Sequence, residues 1–270
     1  MKSIIKINDV NVIKKNKSIL NNLSFEVPEK TITAFIGPNG AGKTTTIRTI
    51  LNLFNYKSGS IKIDNLDSKD ITSHYLIGYV PEKENFPKIK VYRFLFELAL
   101  LCKMDKVKID NQIDYYLKLF GISDLKNSTL TKLSSGQKKK LLIIQAMIHE
   151  PKLIIMDEPT ENLDPESREI FYNLVKQFHK DGATFLISTH NLDEINNYAN
   201  HLVIINNGSI AYEGKWKNQQ NLRQAYKNFQ TSGKFELIQS KDANVRYETL
   251  LKEGLLTKQE VEILKKKGKK

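Results

Sequence analysis

The chain has 270 residues, 40% of them hydrophobic, which suits one sizeable α/β core plus an appendage. Its one cysteine, Cys102, excludes an internal disulfide framework and reads as a small buried hydrophobe near a helix end, while the longest apolar runs, 94–101 and 141–144, are too short to span a bilayer. The net charge of +12, from 42 Lys and Arg against 30 Asp and Glu, fits a general Lys-rich bias, attraction to anionic lipid headgroups, or contact with nucleic acid.

Lys2, Lys6 and Asn8 interrupt any apolar stretch at the start, so no secretory leader is expected and the cytosol is the expected compartment. Residues 3–13 and 19–27 alternate apolar and polar side chains, as half-buried strands do. The run 31–36 (TITAFI) predicts a buried central strand, and a helix is predicted over 43–54. A turn at 57–59 leads to a small strand over 60–64, and 77–80 (IGYV) is a further buried strand stopped by Pro81. Residues 91–101 and 109–119 read as helices within a strand-free stretch, 86–135. A helix over 136–150 ends at Pro151, and the apolar run 153–156 predicts another central strand. Asp164-Pro165 opens a helix with a cap residue and Pro in the first turn. Residues 184–188 predict a strand, 191–199 a helix, and 202–206 with 209–213 a hairpin across Asn207-Gly208. Alternating strands and helices imply a mostly parallel sheet covered on both faces. After Gly214 the chain turns Lys-, Gln- and Asn-rich, and five of its last six residues are Lys.

Three segments carry chemistry. Residues 37–44 read GPNGAGKT, which matches the phosphate-cradling pattern G-x-x-x-x-G-K-[ST] between a strand and a helix. Gly37, Gly40 and Gly42 permit the angles of an amide-lined nest, and the following helix adds its positive end. Lys43 reaches the β- and γ-phosphates, and Thr44 offers a hydroxyl to Mg²⁺. Asp157 and Glu158 follow a buried strand, where Asp157 is placed to hold Mg²⁺ and Glu158 to polarise an attacking water. His190 follows the strand TFLIS, at the sheet end where ligands bind in open α/β folds, and can hydrogen-bond the γ-phosphate.

GPNGAGKT, YVPE (79–82), LSSGQ (133–137), LIIMDEPT (153–160), NLDP (162–165) and His190 together resemble the ATPase subunit of an ATP-binding cassette (ABC) transporter, over residues 1 to about 214. The resemblance implies an α/β P-loop NTPase fold: a mostly parallel core sheet, an N-terminal antiparallel β subdomain and a helical signature subdomain at about 86–150. A small C-terminal appendage fills 215–270, where 247–267 resembles a short helical hairpin. The resemblance also implies ATP and Mg²⁺ as cofactors, with nucleotide contacts from Gly37, Pro38, Asn39, Gly40, Ala41, Gly42, Lys43, Thr44 and Thr45. Two such subunits would pack head to tail, so that Ser134, Gly136 and Gln137 act on the γ-phosphate held by the other copy, and Asp164 links the two sites. Lys43, Glu158 and His190 would be catalytic, and Thr44, Asp157 and Glu82 would serve the metal. The implied partners are a second ATP-binding subunit and a separate membrane-spanning permease, at the cytoplasmic face of the membrane.

Four positions depart from the family pattern. Glu82 stands where Gln is usual, a variant that resembles the drug-, antibiotic- and peptide-exporting branch. Ile13 and Lys14 occupy the neighbourhood of the usual adenine-stacking aromatic. Ser135 replaces a glycine in the signature, and Glu161 and Asn162 replace small residues before Leu163. Phe86, Tyr92, Phe94 and Phe96 are candidates for the face that receives the permease. The chief alternative is a soluble ABC-type ATPase acting on nucleic acid or ribosomes; against it, the chain has neither a second cassette nor a long coiled-coil insertion, so nucleic acid is an unlikely partner. A guanine-reading N-K-x-D segment is missing, which argues against a GTPase.

Overall fold

A computed structural model describes residues 2–83, 86–217, 221–233 and 235. The chain divides into two units, Met1–Lys217 and Asn218–Lys270.

In the first unit the long alternating segments form β1 (Ser3–Lys14) and β2 (Lys17–Pro28). They pair antiparallel and join β4 (Ser58–Ile63) and the two-residue β5 (Leu66–Asp67) in a four-stranded sheet, ordered β2-β1-β4-β5. The apolar runs make the second sheet. It contains β3 (Ile32–Ile36), β6 (Ile77–Val80), β7 (Leu153–Asp157), β8 (Thr184–Ser188), β9 (His201–Asn206) and β10 (Ser209–Lys215), ordered β10-β9-β3-β8-β7-β6. All its neighbours pair parallel except the β9–β10 hairpin. Strands β3, β7 and β8 are buried at every position, which is why they read as continuous apolar runs and not as alternation. This is the α/β P-loop fold that the sequence predicts.

The helices are α1 (Lys43–Ile50), α2 (Ile71–His74), α3 (Val91–Leu101), α4 (Lys106–Leu119), α5 (Ser135–Met147), α6 (Pro165–Lys180) and α7 (Leu192–Asn196). Local chemistry sets their starts. Asp105 caps α4 by accepting from the amides of Val107 and Lys108, so the helix begins three residues before the expected 109. Asp164 caps α6 through the Ser167 amide, with Pro165 in the first turn. Three helices stop short of their expected ends: α1 at Ile50 instead of 54, α5 at Met147 instead of 150, and α7 at Asn196 instead of 199. Leu51 and Asn52 leave the α1 path, Asn52 with φ +53. Cys102 caps the end of α3 and is partly buried, with its thiol pushed up by that burial.

In the second unit, α8 (Leu222–Ser232) is capped by the Asn221 side chain and ends at Gly233 in the left-handed region, φ +71. The helical hairpin expected over 247–267 lies outside the described residues.

The core strands enclose a titratable histidine. His201, opposite Thr33 in the β3–β9 ladder, is 4% exposed, and its Nδ1 lies 3.3 Å from the Thr33 hydroxyl. Burial pushes its pKa down from 6.5 to about 4. Between those two values the unfolded chain binds the proton and the folded chain does not, so stability falls as pH drops through the window. We expect His201→Gln to lose less stability than the wild type between pH 7 and pH 5, by ~2 kcal/mol in urea titrations; identical pH dependence of the two proteins counts against this role.

Candidate nucleotide site

The phosphate loop is a backbone structure before it is a binding site. Gly42, at φ +109, caps α1 without any side chain over the first amides of the helix. A Cβ there would also fall 2.7 Å from Leu20 Cδ2. The uncapped amides of α1 therefore remain available to an anion. The loop rests on the turn between β9 and β10: the Gly208 amide donates to the Ala41 carbonyl at 2.9 Å, and the Asn21 amide donates to the Gly208 carbonyl at 2.9 Å. Gly37 approaches the Ile205 carbonyl so closely that a Cβ would lie 2.4 Å from it. Gly37, Ala41 and Gly42 are buried, Pro38, Lys43, Thr44 and Thr45 are half-buried, and Asn39 and Gly40 are exposed at the mouth.

Lys43 folds back over the loop and donates to the carbonyls of Gly37 at 2.7 Å and Pro38 at 3.3 Å. Burial pulls its ammonium below the usual lysine range, against the opposing fields of Glu158, Asp157 and Glu82. Those three carboxylates thus face one half-buried cation.

Asp157 ends β7 and is 1% exposed. It pairs with Ser188 of β8, whose hydroxyl donates to Oδ1. Its Oδ2 is buried with no hydrogen-bond partner. A buried carboxylate oxygen left without a donor is costly unless a cation or ligand satisfies it. That oxygen, with the half-buried Thr44 next to Lys43, fits a Mg²⁺ shared with phosphate. Among the described residues no group of three or more His, Cys, Asp or Glu side chains could hold a metal by itself.

Glu158 takes a left-handed conformation, φ +49, unusual for its type. Its amide donates to the Ser188 carbonyl at 3.1 Å, and its Oε2 lies 2.9 Å from His190 Nδ1. The His190 amide donates to the same oxygen at 3.3 Å. Glu82 follows β6 and stands 3.5 Å from Lys83.

The signature segment forms a second cluster. Ser134 caps α5 in a capping box: its Oγ accepts from the Gln137 amide at 3.2 Å, while its own amide donates to Gln137 Oε1 at 2.9 Å. With its oxygen accepting inward, the exposed Ser134 hydroxyl keeps its proton for an outside acceptor. Ser135 is exposed, so the extra side chain meets solvent. Gly136 packs under the Asn162 carbonyl, 3.0 Å from where a Cβ would sit, and Asn162 is left-handed at φ +64. Asp164 lies 3.3 Å from Lys140 of α5, and its carboxyl is held down at about 2, chiefly by the Ser167 amide and hydroxyl. Charge and contact thus link Lys43, Asp157, Glu158, Glu82 and His190, while Ser134 and Gln137 form the capped start of α5, where Gly136 packs under Asn162 and Lys140 meets Asp164.

Sequence reasoning missed Ser188, Lys139 and Lys140. Ser188 shows itself only through register with Asp157, and the two lysines sit in a KKK run that reads as solvated. Where a stacking aromatic is usual, Ile13 is 46% exposed and Lys14 extends over Phe54, 5.4 Å from the ring centroid.

Beside the site, β6, α3 and α5 enclose a groove of about 370 Å³ lined by Tyr79, Phe86, Phe94, Leu98, Leu142 and Gln145 among others. Phe86 and Phe94 meet edge to face at 5.6 Å. Tyr92 and Phe96 do not join them; they stack on each other, and the Tyr92 hydroxyl donates to Asp110. A larger cleft, about 1060 Å³, runs between α4 and the end of α6 and contains none of the predicted site residues.

The fold and this loop define a phosphate-loop nucleotide-binding domain. Residues 20–161 match the family model described as ABC transporter, and the chain belongs to that family. It is 39% identical over 207 residues to an ABC transporter ATP-binding protein of Mycoplasma pneumoniae, covering 76% of this chain and 63% of the relative. It is 34% identical to the zinc uptake system ATP-binding protein ZurA of Listeria monocytogenes, covering 79% of this chain and 86% of that one. A solved ATP-binding subunit of an ABC transporter superposes with a TM-score of 0.76 at 26% identity, over 86% of this chain and 95% of its own. The chain thus spans less than two thirds of the length of the Mycoplasma relative.

The turn behind the loop is testable. At Gly208, φ is +77 and a Cβ would fall 2.2 Å from the Ile19 carbonyl. We expect Gly208→Val to weaken binding of a fluorescent ATP analogue roughly 10-fold by displacing the loop; unchanged affinity in a folded variant would show that the turn does not support it.

Proposed function

We propose that this chain is an ATP-hydrolysing subunit that works in pairs and drives transport through a separate membrane-spanning permease. The observation that supports the reading is a phosphate loop with acidic groups around Lys43 together with a second capped helix start at Ser134, whose exposed hydroxyl is free to donate. Each is half of an ATP site, and a head-to-tail pair completes both.

The loop amides and the start of α1 hold the β- and γ-phosphates. Lys43 exchanges the Gly37 and Pro38 carbonyls for phosphate oxygens. Asp157 Oδ2, Thr44 and Glu82 would hold Mg²⁺, which when bound would neutralise charge on the phosphates. Glu158, held by His190, takes the proton of the attacking water as the bond between the γ-phosphorus and its bridging oxygen breaks. His190 orients Glu158 and faces the γ-phosphate. The facing copy contributes the Ser134 hydroxyl, the Gly136 amide and Gln137, and Asp164 joins the two sites. Loss of the γ-phosphate removes the anion that both surfaces grip, and the pair opens.

The groove around Phe86 and Phe94 supports docking of a short cytoplasmic helix from the permease, as apolar grooves receive amphipathic helices. Among the described residues no helix is long and apolar enough to cross a membrane, so the membrane path is assigned to that second protein. Glu82 favours export of an antibiotic, peptide or other amphipathic compound. The Listeria relative is named for zinc uptake, so direction is to be read from transport of a labelled compound by this subunit with its co-purified permease. Accumulation in the compartment opposite the ATP side supports export.

In light scattering, Glu158→Gln is expected to double its mass on addition of ATP. A monomer at saturating ATP, whether alone or mixed with any co-purified cassette, contradicts the paired site. With Ile13 and Lys14 where an aromatic would stack, the base is held weakly; stacking is worth ~1–3 kcal/mol per base. GTP is therefore expected to be hydrolysed within about 10-fold of ATP. A preference of ~1000-fold would reveal a base-reading contact elsewhere.

A further inference from the structure

Lys139 lies inside the KKK run of α5 yet is only 4% exposed. Its ammonium donates to three backbone carbonyls, those of Pro81, Glu82 and Glu158, each at 3.3 Å. Two of these belong to the turn carrying the metal-side oxygen of Glu82, and the third to Glu158 itself. A lysine offers three N–H donors on a compact head, which suits three converging carbonyls. Glu158 is the residue among these with a left-handed backbone, φ +49, a conformation that persists only when its surroundings hold it. Lys139 follows Gln137 by two residues, so it moves with the same helix start that carries Ser134, Gly136 and Gln137.

We infer that Lys139 is a positioning residue: it ties the signature helix to the backbone of both Glu82 and Glu158, so that engagement of the facing copy's γ-phosphate by α5 sets the metal-side and base-side groups together. The inference rests on the ATP-hydrolysing reading above. It assigns to Lys139 no contact with nucleotide. Its loss therefore strikes turnover and leaves binding in place.

The full-length chain is tested as wild type, Lys139→Met, Lys139→Gln and Lys139→Arg. Measured are ATPase rate against ATP and against Mg²⁺, affinity for a fluorescent ATP analogue, and melting temperature. Lys139→Met is expected to lower kcat roughly 10- to 100-fold, the scale of a misplaced catalytic group. Its nucleotide affinity stays within about threefold, and half-maximal activity needs more Mg²⁺. Lys139→Arg, which keeps charge and donors, restores most of the rate. If Lys139→Met does not fold, the comparison passes to Lys139→Gln, expected to be slow, against Lys139→Arg, expected to be fast. A kcat for Met or Gln within twofold of wild type overturns the inference, as does a parallel loss of binding and rate that Arg does not repair. A wild-type chain without ATPase activity, whose Glu158→Gln form also ignores ATP, defeats the hydrolytic reading first and this inference with it.

Discussion

Backbone pairing through Ser188 is the constraint on which the phosphate site depends. This residue closes β8, opposite Phe35 of β3 on one side and Asp157 of β7 on the other. Its hydroxyl holds Asp157, its carbonyl accepts the Glu158 amide, and His190 follows two residues later. The three strand ends therefore share one level. A slip of one residue in either ladder would turn Asp157 away from the loop and reverse the face of every side chain along the strand. Full burial of β3, β7 and β8 is what opposes that slip, since close packing on both faces fits each side chain to one register.

Apolar runs bounded by turn residues were enough to read the core sheet and its phosphate loop, because burial on both faces leaves an unbroken hydrophobic signature. The two-residue β5 and four-residue α2 left no such signature, being too short for a period. Helix ends were legible at Asp164, where a cap residue is followed by Pro165, and illegible at Leu51, where backbone alone stops the helix, and at Asp105, whose cap starts α4 early. The aromatic cluster 86–96 was half legible: Phe94 of α3 and Phe86, which precedes that helix, line the groove, whereas Tyr92 is drawn off by Asp110. Lys139 was hidden for a different reason. Composition treats three lysines as one solvated face, yet adjacent helix positions point about 100° apart, so one of them can turn inward.

Charge at the site runs against the charge of the chain. A molecule with net +12 gathers Asp157, Glu158 and Glu82 around the ammonium of Lys43. That ammonium is turned onto loop carbonyls, and one oxygen of Asp157 has no donor. A buried polar atom without a partner costs stability. These groups are also what a triphosphate and its cation would satisfy, so the cost is recovered as binding.

The support beneath Ala41 comes from a sheet margin. The β9–β10 turn that donates there is held by the pairing of β9 with β10, the outermost strand of its sheet, and by Asn21 of β2, itself an outer strand. Outer strands open more readily than central ones, because solvent replaces half of their pairing. The firmness of the nucleotide cradle is consequently governed from the rim of the molecule: fraying at Asn207-Gly208 loosens the floor under the phosphates while the buried strands that carry the acidic groups stay in place.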